Sequence, residues 1–466
     1  MKRVLFFAAL LIIPALLFTG CKKKEEAEGP REVTITVWAR ASETEHWRAD
    51  GAIEAGKLLN AELQKEGSTI TVVVDATFAN PSWGDYKKKF TLAADAGEGP
   101  DIILSGHEDV PVWAQAEYVM PLADSVSAVK KLQPEFADVI ESLWNASLWH
   151  DKVWAVPQDT EARPMFFSKP KLKALGWSDA EIEALPDKIK NGEFTLDDLI
   201  ATAKEAVDKG VVPKGYGYWH RPRKGGDYLQ YYFSYGGYLY DPKADKLVVV
   251  KDALEKWYAF QRKCVETGIT PDKYIGTEWR VWHDTVSHDK VLFWNGGAWQ
   301  WAEWAEIYLK DEGGEATLFK NVGYALQPSG VRGKKGGTLS HPLVYMVTTE
   351  EASKRAKEDT ELVIRLLAKI TTKEINTKHA IESTHLGILK SQMDYAPYKA
   401  NKLLADVTYM LDYNYYQPNH SMYSVYFDAV WNGMSAAENG EKSPKDAAAE
   451  AIKQLQVELD DALIVK

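Results

Sequence analysis

Cysteine is nearly absent from this chain: Cys21 and Cys264 are the only two in 466 residues. A disulfide-built scaffold is therefore excluded, and stability has to come from a large apolar core, which this length permits. Cys264 falls in the helical pattern of 253–266 and reads as a small buried hydrophobe. Excess positive charge is lacking too. Lys and Arg number 56 against 67 Asp and Glu, a net charge of −11. That balance argues against nucleic acid or an anionic membrane face as the main partner. Long apolar runs are missing after the first twenty residues, so no spanning helix is predicted there. Also missing are a Gly-x-Ser-x-Gly elbow, a Walker loop, a His-Glu-x-x-His pair and a paired-Cys motif. No repeat of 20–50 residues occurs.

What is present begins at the N-terminus. Lys2 and Arg3 precede an apolar stretch over 4–18, too short to span a bilayer and flanked like a signal peptide. The run Leu17-Phe18-Thr19-Gly20-Cys21 resembles a lipobox, with Phe18 where Leu is usual, which implies lipidation of Cys21. Residues 1–20 then form a lipoprotein signal peptide. Residues 21–31, highly charged and without an apolar pattern, form a flexible tether. The expected location is extracytoplasmic: the periplasm or the outer face of the cell membrane, held by the lipid.

Aromatics are plentiful at 12%, with 17 Trp and 23 Tyr, many beside Gly, Asn, His or Pro. Rings in such loop contexts suit stacking on a ligand with apolar faces and polar rims, although a large core also consumes Trp. Segments 33–39, 69–76 and 101–104 read as strands. Segments 43–64, 85–96 and 110–117 read as helices between and after them. Alternating strands and helices predict an α/β fold with a mostly parallel sheet. A short strand at 153–157 precedes a long, mainly helical stretch. Thr195 with Asp198 reads as a helix N-cap pair. Strands follow at 321–328 and 342–349, and one strong helix at 350–370. Ligands bind beyond the carboxyl ends of such strands, which nominates 40–46, 78–83, 106–109 and 158–163.

These segments resemble the extracellular sugar-binding proteins of ABC importers, of the maltose- and oligosaccharide-binding type. The stretches that carry the likeness are GEGPDIILSGHEDVPVWAQAEYVMPLAD (97–124), VWAVPQDTEARPMFFSKPKLKALGW (153–177), LFWNGGAWQW (292–301), GKKGGTLSHP (333–342) and YYQPNHSMYSVYFDAVW (415–431). The resemblance implies two α/β lobes, each a mostly parallel sheet flanked by helices, with ligand trapped between them by hinge closure. It places lobe 1 at 32–158 with 328–384, and lobe 2 at 159–327 with 385–466. Three crossings are implied near 155–160, 324–329 and 384–389.

It also implies contacts from Glu108 and Asp109 in the loop after the third strand, Glu161 at the first crossing, and Trp299 or Trp301 as an aromatic platform. Arg40, Glu43 and Trp83 fall on the nominated loops, and His341 on the 333–342 stretch that resembles the family's return loop. Glu108 and Asp109 also suit an ordinary helix N-terminus. Arg163 and His220, with the rest of WHRPRK (219–224), add cations that suit an acidic sugar. The expected partners are a carbohydrate ligand, the importer's permease subunits and the membrane through the lipid. No nucleic acid, no cofactor and no enzymatic activity are expected, and the receptor is expected to be a monomer. Two rival readings stand beside this one. One is a glycosidase built on a carboxylate pair. The other is a metal or ferric-ion receptor using Tyr231-Tyr232, Tyr415-Tyr416 and histidines.

Overall fold

The computed structural model describes residues 29–466, so the segment read as a signal peptide, Cys21 and most of the segment read as a tether lie outside the described residues. Among the described residues no helix is long and apolar enough to cross a membrane.

The β-branched run at the start forms strand β1 (Arg31–Arg40), which alternates buried and open positions. Helix α1 (Trp47–Lys65) follows, then strand β2 (Ile70–Ala79), helix α2 (Trp83–Asp95) and strand β3 (Ile102–Gly106). Strand β4 (Ala155–Pro157) and strand β9 (Leu343–Val347) complete a five-stranded sheet in the order β2-β1-β3-β9-β4. β1 runs parallel to β2 and to β3, as the crossover helices require. β9 returns from the distant half of the chain and pairs antiparallel with β3 and β4. The sheet is therefore mixed at the edge where the chain leaves and re-enters. Apolar cores cover both of its faces.

A second sheet carries strands β5 (Met165–Ser168), β6 (Tyr218–Trp219), β7 (Phe293–Asn295) and β8 (Val322–Ala325) in the order β8-β5-β7-β6. Only β7 and β6 pair in parallel. Its core draws on residues 162–326 together with helices α6 (Tyr423–Glu438) and α7 (Pro444–Leu459). Most of the aromatic excess is spent here: Trp257, Trp282, Trp294, Trp301 and Trp304 are fully buried. Helix α3 (Leu196–Asp208) begins with a complete capping box between Thr195 and Asp198. Cys264 is buried in helix α4 (Lys251–Glu266).

Two expectations fail. The second sheet is not mostly parallel: β5 lies between β7 and β8 and runs antiparallel to both. The helix read over 350–370 is broken: a four-residue turn ends at Lys354 in the left-handed region (φ 54°), and helix α5 runs only from Thr360 to Ile370. The break turns Arg355 inward, where it reaches Asp101 at 3.2 Å and the Thr348 carbonyl at 2.8 Å. Apolar periodicity continues across the break, which is why the sequence reads as one helix.

Chain segments pass between the two sheets side by side. Thr160 and Leu386 exchange backbone hydrogen bonds at 3.2 and 2.8 Å. The Thr160 and Ser340 hydroxyls meet at 2.6 Å, and Gln327 bridges Gly337.

Candidate functional site

Between the sheets lies a cavity of about 910 Å³. This falls within the roughly 300–1,000 Å³ typical of small-molecule sites. The carboxyl ends of β1 and β3, the start of α2 and the first inter-sheet segment all open onto it. That placement follows from parallel pairing, which gathers loops at one end of the strands. Of the residues nominated from sequence, Arg40, Trp83, Glu108, Asp109, Glu161, Arg163, Trp299 and His341 line the cavity.

Three do not. Trp301 is fully buried in the core of the second sheet, its Nε1 donating to Glu315 at 3.2 Å. His220 is buried as well, bonded to Glu438 at 3.0 Å and to the Tyr228 hydroxyl at 2.6 Å. Glu43 points outward, and the cleft position near it is taken by Glu45. Of WHRPRK, the cavity is lined by Arg221, Arg223 and Lys224. Tyr231 and Tyr232 are enclosed in the core and do not form a cleft ligand pair.

On the first-sheet wall, Glu108 and Asp109 occupy the turn His107–Asp109 that follows β3, and neither caps a helix with its side chain. Glu108 meets His341 Nε2 at 2.6 Å and Lys87 at 2.8 Å. Burial pushes the Glu108 carboxyl up, but these two cations outweigh it and hold the group well below its usual value. Asp109 shares Lys87 at 2.8 Å and accepts from Ser105 Oγ at 2.5 Å. Its pKa is raised, by burial first and by the neighbouring Glu108 charge. Gly106 is required beneath this pair, because a Cβ there would fall 2.2 Å from Glu108 Oε2.

On the opposite wall, Arg163 ties Glu161 at 2.5 Å and also bonds Asp227, whose second oxygen takes Arg221 at 2.6 Å. Paired with two guanidiniums, Asp227 is pulled down to about 2 despite its burial. Burial raises Glu161 above the usual range, with Arg163 opposing. Three of the four tryptophans lining the cavity carry an arginine over the ring: Arg40 on Trp83 at 4.8 Å, Arg221 on Trp279 at 4.8 Å, Arg163 on Trp299 at 4.9 Å. Trp299 also stacks on His385, with centroids 5.5 Å apart. Gly297 makes room for it, since a Cβ there would fall 2.0 Å from the indole.

At the floor, Arg48 bonds Glu45 at 2.7 Å and Asp159 at 2.9 Å. Glu303 is pushed up to about 7 by burial and by the nearby Glu45 charge. Among the described residues two groups have metal-ligand chemistry, with ligand atoms within 4.8 Å of one another: His107–Glu108–His341 and Asp159–His379–His385. Sequence reasoning missed Glu45, Arg48, Asp227, Trp279, Glu303 and His385. Glu45 and Arg48 lie within or just past a nominated loop and were within reach. The others come from segments with no strand signal beside them.

The arrangement is a water-accessible slot with aromatic faces and fixed carboxylates and guanidiniums, suited to gripping a polyhydroxylated molecule. Comparisons with known proteins place the chain among receptors. The model of the bacterial extracellular solute-binding protein family matches residues 50–374. The GacH receptor of Streptomyces glaucescens, solved unliganded and with acarbose, matches at TM-score 0.70 and 18% identity over 91% of this chain and 97% of that one. Maltose-bound MalE3 of T. maritima matches at TM-score 0.68 and 17% identity, over 91% and 99%. These likenesses carry the two-lobed fold. In sequence, diacetylchitobiose binding protein DasA of Streptomyces coelicolor is 23% identical over 227 residues, 48% of this chain and 45% of that protein. With a family match spanning more than half its length, the chain belongs to the bacterial extracellular solute-binding proteins.

Proposed function

We propose that this protein is a lipid-anchored extracytoplasmic receptor that captures a sugar or oligosaccharide between its lobes and delivers it to an ABC importer. The observation that carries the reading is the pairing of Trp83, Trp279 and Trp299 with fixed carboxylates around one cavity. Sugar C–H faces pack on rings, while hydroxyl pairs donate to carboxylates that are already held in place. Similar proteins solved with acarbose or with maltose bound, and one named for binding diacetylchitobiose, support the ligand class. Hinge closure about 155–160, 324–329 and 384–389 traps the ligand, with lobe 1 at 32–158 and 328–384 and lobe 2 at 159–327 and 385–466. The lipid on Cys21 keeps the receptor near its transporter.

An acidic sugar is a refinement with its own support. Arg40 and Arg223 line the cavity without a carboxylate partner within 4.0 Å among the described residues. The remaining arginines there are committed to internal pairs. Calorimetry with neutral and uronate oligosaccharides of equal length tests this, and equal affinity removes the refinement. Incubation with the same oligosaccharides tests the glycosidase alternative, and intact ligand is the expected outcome.

A further inference from the structure

We infer that His107, Glu108 and His341 form a binding site for a late first-row divalent cation, of which Zn2+ is the reference case. Asn419 sits beside His107. Its Nδ2 donates to the carbonyls of Ala146 at 2.8 Å and Leu148 at 3.0 Å, which fixes which end of the amide is which. The Asn419 oxygen therefore faces His107 Nδ1, 2.7 Å away, and accepts its proton. The His107 tautomer follows: Nε2 carries a bare lone pair. That atom is fully buried and has no hydrogen-bond partner. A His107 ring nitrogen lies within 4.8 Å of a Glu108 carboxylate oxygen and a His341 ring nitrogen, and with Nδ1 taken by Asn419, Nε2 is the nitrogen free to ligate.

Two imidazole nitrogens and one carboxylate oxygen are a ligand set that suits Zn2+, Ni2+ or Cu2+ better than Mg2+ or Ca2+. An amide oxygen holding the far nitrogen of a ligating histidine is the usual supporting contact of such sites. Around a tetrahedral Zn2+ at about 2.0 Å, ligand atoms stand roughly 3.3 Å apart. The metal displaces the proton that His341 Nε2 shares with Glu108, and that proton leaves to water. The 2.6 Å contact then opens by roughly 0.7 Å, and both side chains are only partly buried. Lys87 takes the other Glu108 oxygen at 2.8 Å, and Asp109 balances its charge at 2.8 Å. The second cluster is a poorer site, because Arg48 and His379 already converge on the same Asp159 oxygen. Glu108 and His341 line the cavity, so the fourth coordination position faces the ligand space, where a ligand oxygen can fill it. A cation there adds a directional contact that carbohydrate stacking alone does not supply.

The test uses Zn2+ alone, with no sugar, on the full chain first stripped with chelator. Equilibrium dialysis followed by elemental analysis should find one Zn2+ per chain. Co2+ in its place should give the visible absorption of a tetrahedral site. His341→Ala removes a partly exposed ligand, and His107→Gln removes the buried one. Each should weaken Zn2+ by at least ~10-fold while the far-UV and near-UV spectra stay unchanged. Three results overturn the inference. These are no retained Zn2+ in the wild-type chain, unchanged affinity in His341→Ala, or loss only in His379→Ala. Because sugar is absent, failure here leaves the oligosaccharide reading standing, and failure of sugar binding leaves this site standing.

Discussion

Arg163 lies with its guanidinium 4.9 Å from the centroid of the Trp299 ring, joining the first inter-sheet segment to the loop after β7. The same guanidinium neutralises two buried carboxylates, Glu161 and Asp227. One side chain thus orders an aromatic face and an acid pair on the same wall of the cleft.

Removing that cation should cost both fold and function. Arg163→Ala leaves Glu161 and Asp227 buried without their shared partner, a loss of about 3–5 kcal/mol in stability. Arg163→Lys retains charge without the fork and should fall between the two. Urea denaturation of the three proteins checks the order.

The two tryptophans of the 292–301 loop should separate cleanly. Trp301→Ala opens a core cavity and should destabilise by about 3–5 kcal/mol. Trp299→Ala, at a partly exposed ring in the cleft, should leave the melting temperature nearly unchanged and weaken oligosaccharide binding. Differential scanning calorimetry and ligand titration read the two effects.

Gly297→Ala should mimic Trp299→Ala without touching the indole itself. The new methyl would fall 2.0 Å from the ring and drive it out of the cleft. Affinity should drop at least ~10-fold, since about 1.4 kcal/mol corresponds to tenfold. Titration calorimetry provides the number.

Glu303 sets a pH dependence. Its carboxyl is raised to about 7 in the folded chain from an ordinary value of 4.5, through burial first and Glu45 second. The folded state therefore binds more protons than the unfolded one between these values, and stability is lost as pH rises from 4.5 to 7. Glu303→Gln removes that loss. The melting temperature of the variant relative to wild type should climb from pH 5 to pH 8 and then level off. A constant difference across that range would count against the assignment.

Much of the first sheet was legible in the sequence, and the reason is length. β1 and β2 run for ten residues each and their β-branched pattern is unmistakable. In the second sheet, β5, β6 and β7 have four, two and three residues, too few to show any period. The site follows the same division. Glu108, Asp109 and Glu161 sit just past strand ends or the first crossing, where the carboxyl-end rule and the family likeness both point. Trp279, Glu303 and Asp227 arrive by tertiary folding from helical or loop segments, and nothing local distinguishes them. The family likeness implies Trp301 as a ligand and the basic loop suggests His220, yet side-chain direction turns both into the core.

The central claim is that this cleft closes on a sugar through Glu161 and Trp299. It is met most directly by titrating a panel of neutral and uronate oligosaccharides into the wild-type chain, Glu161→Ala and Trp299→Ala. The account predicts one-to-one binding of at least one oligosaccharide to the wild type. It also predicts affinity at least ~10-fold weaker in each variant, with the thermal unfolding of both variants intact. Unchanged affinity in both variants would contradict it.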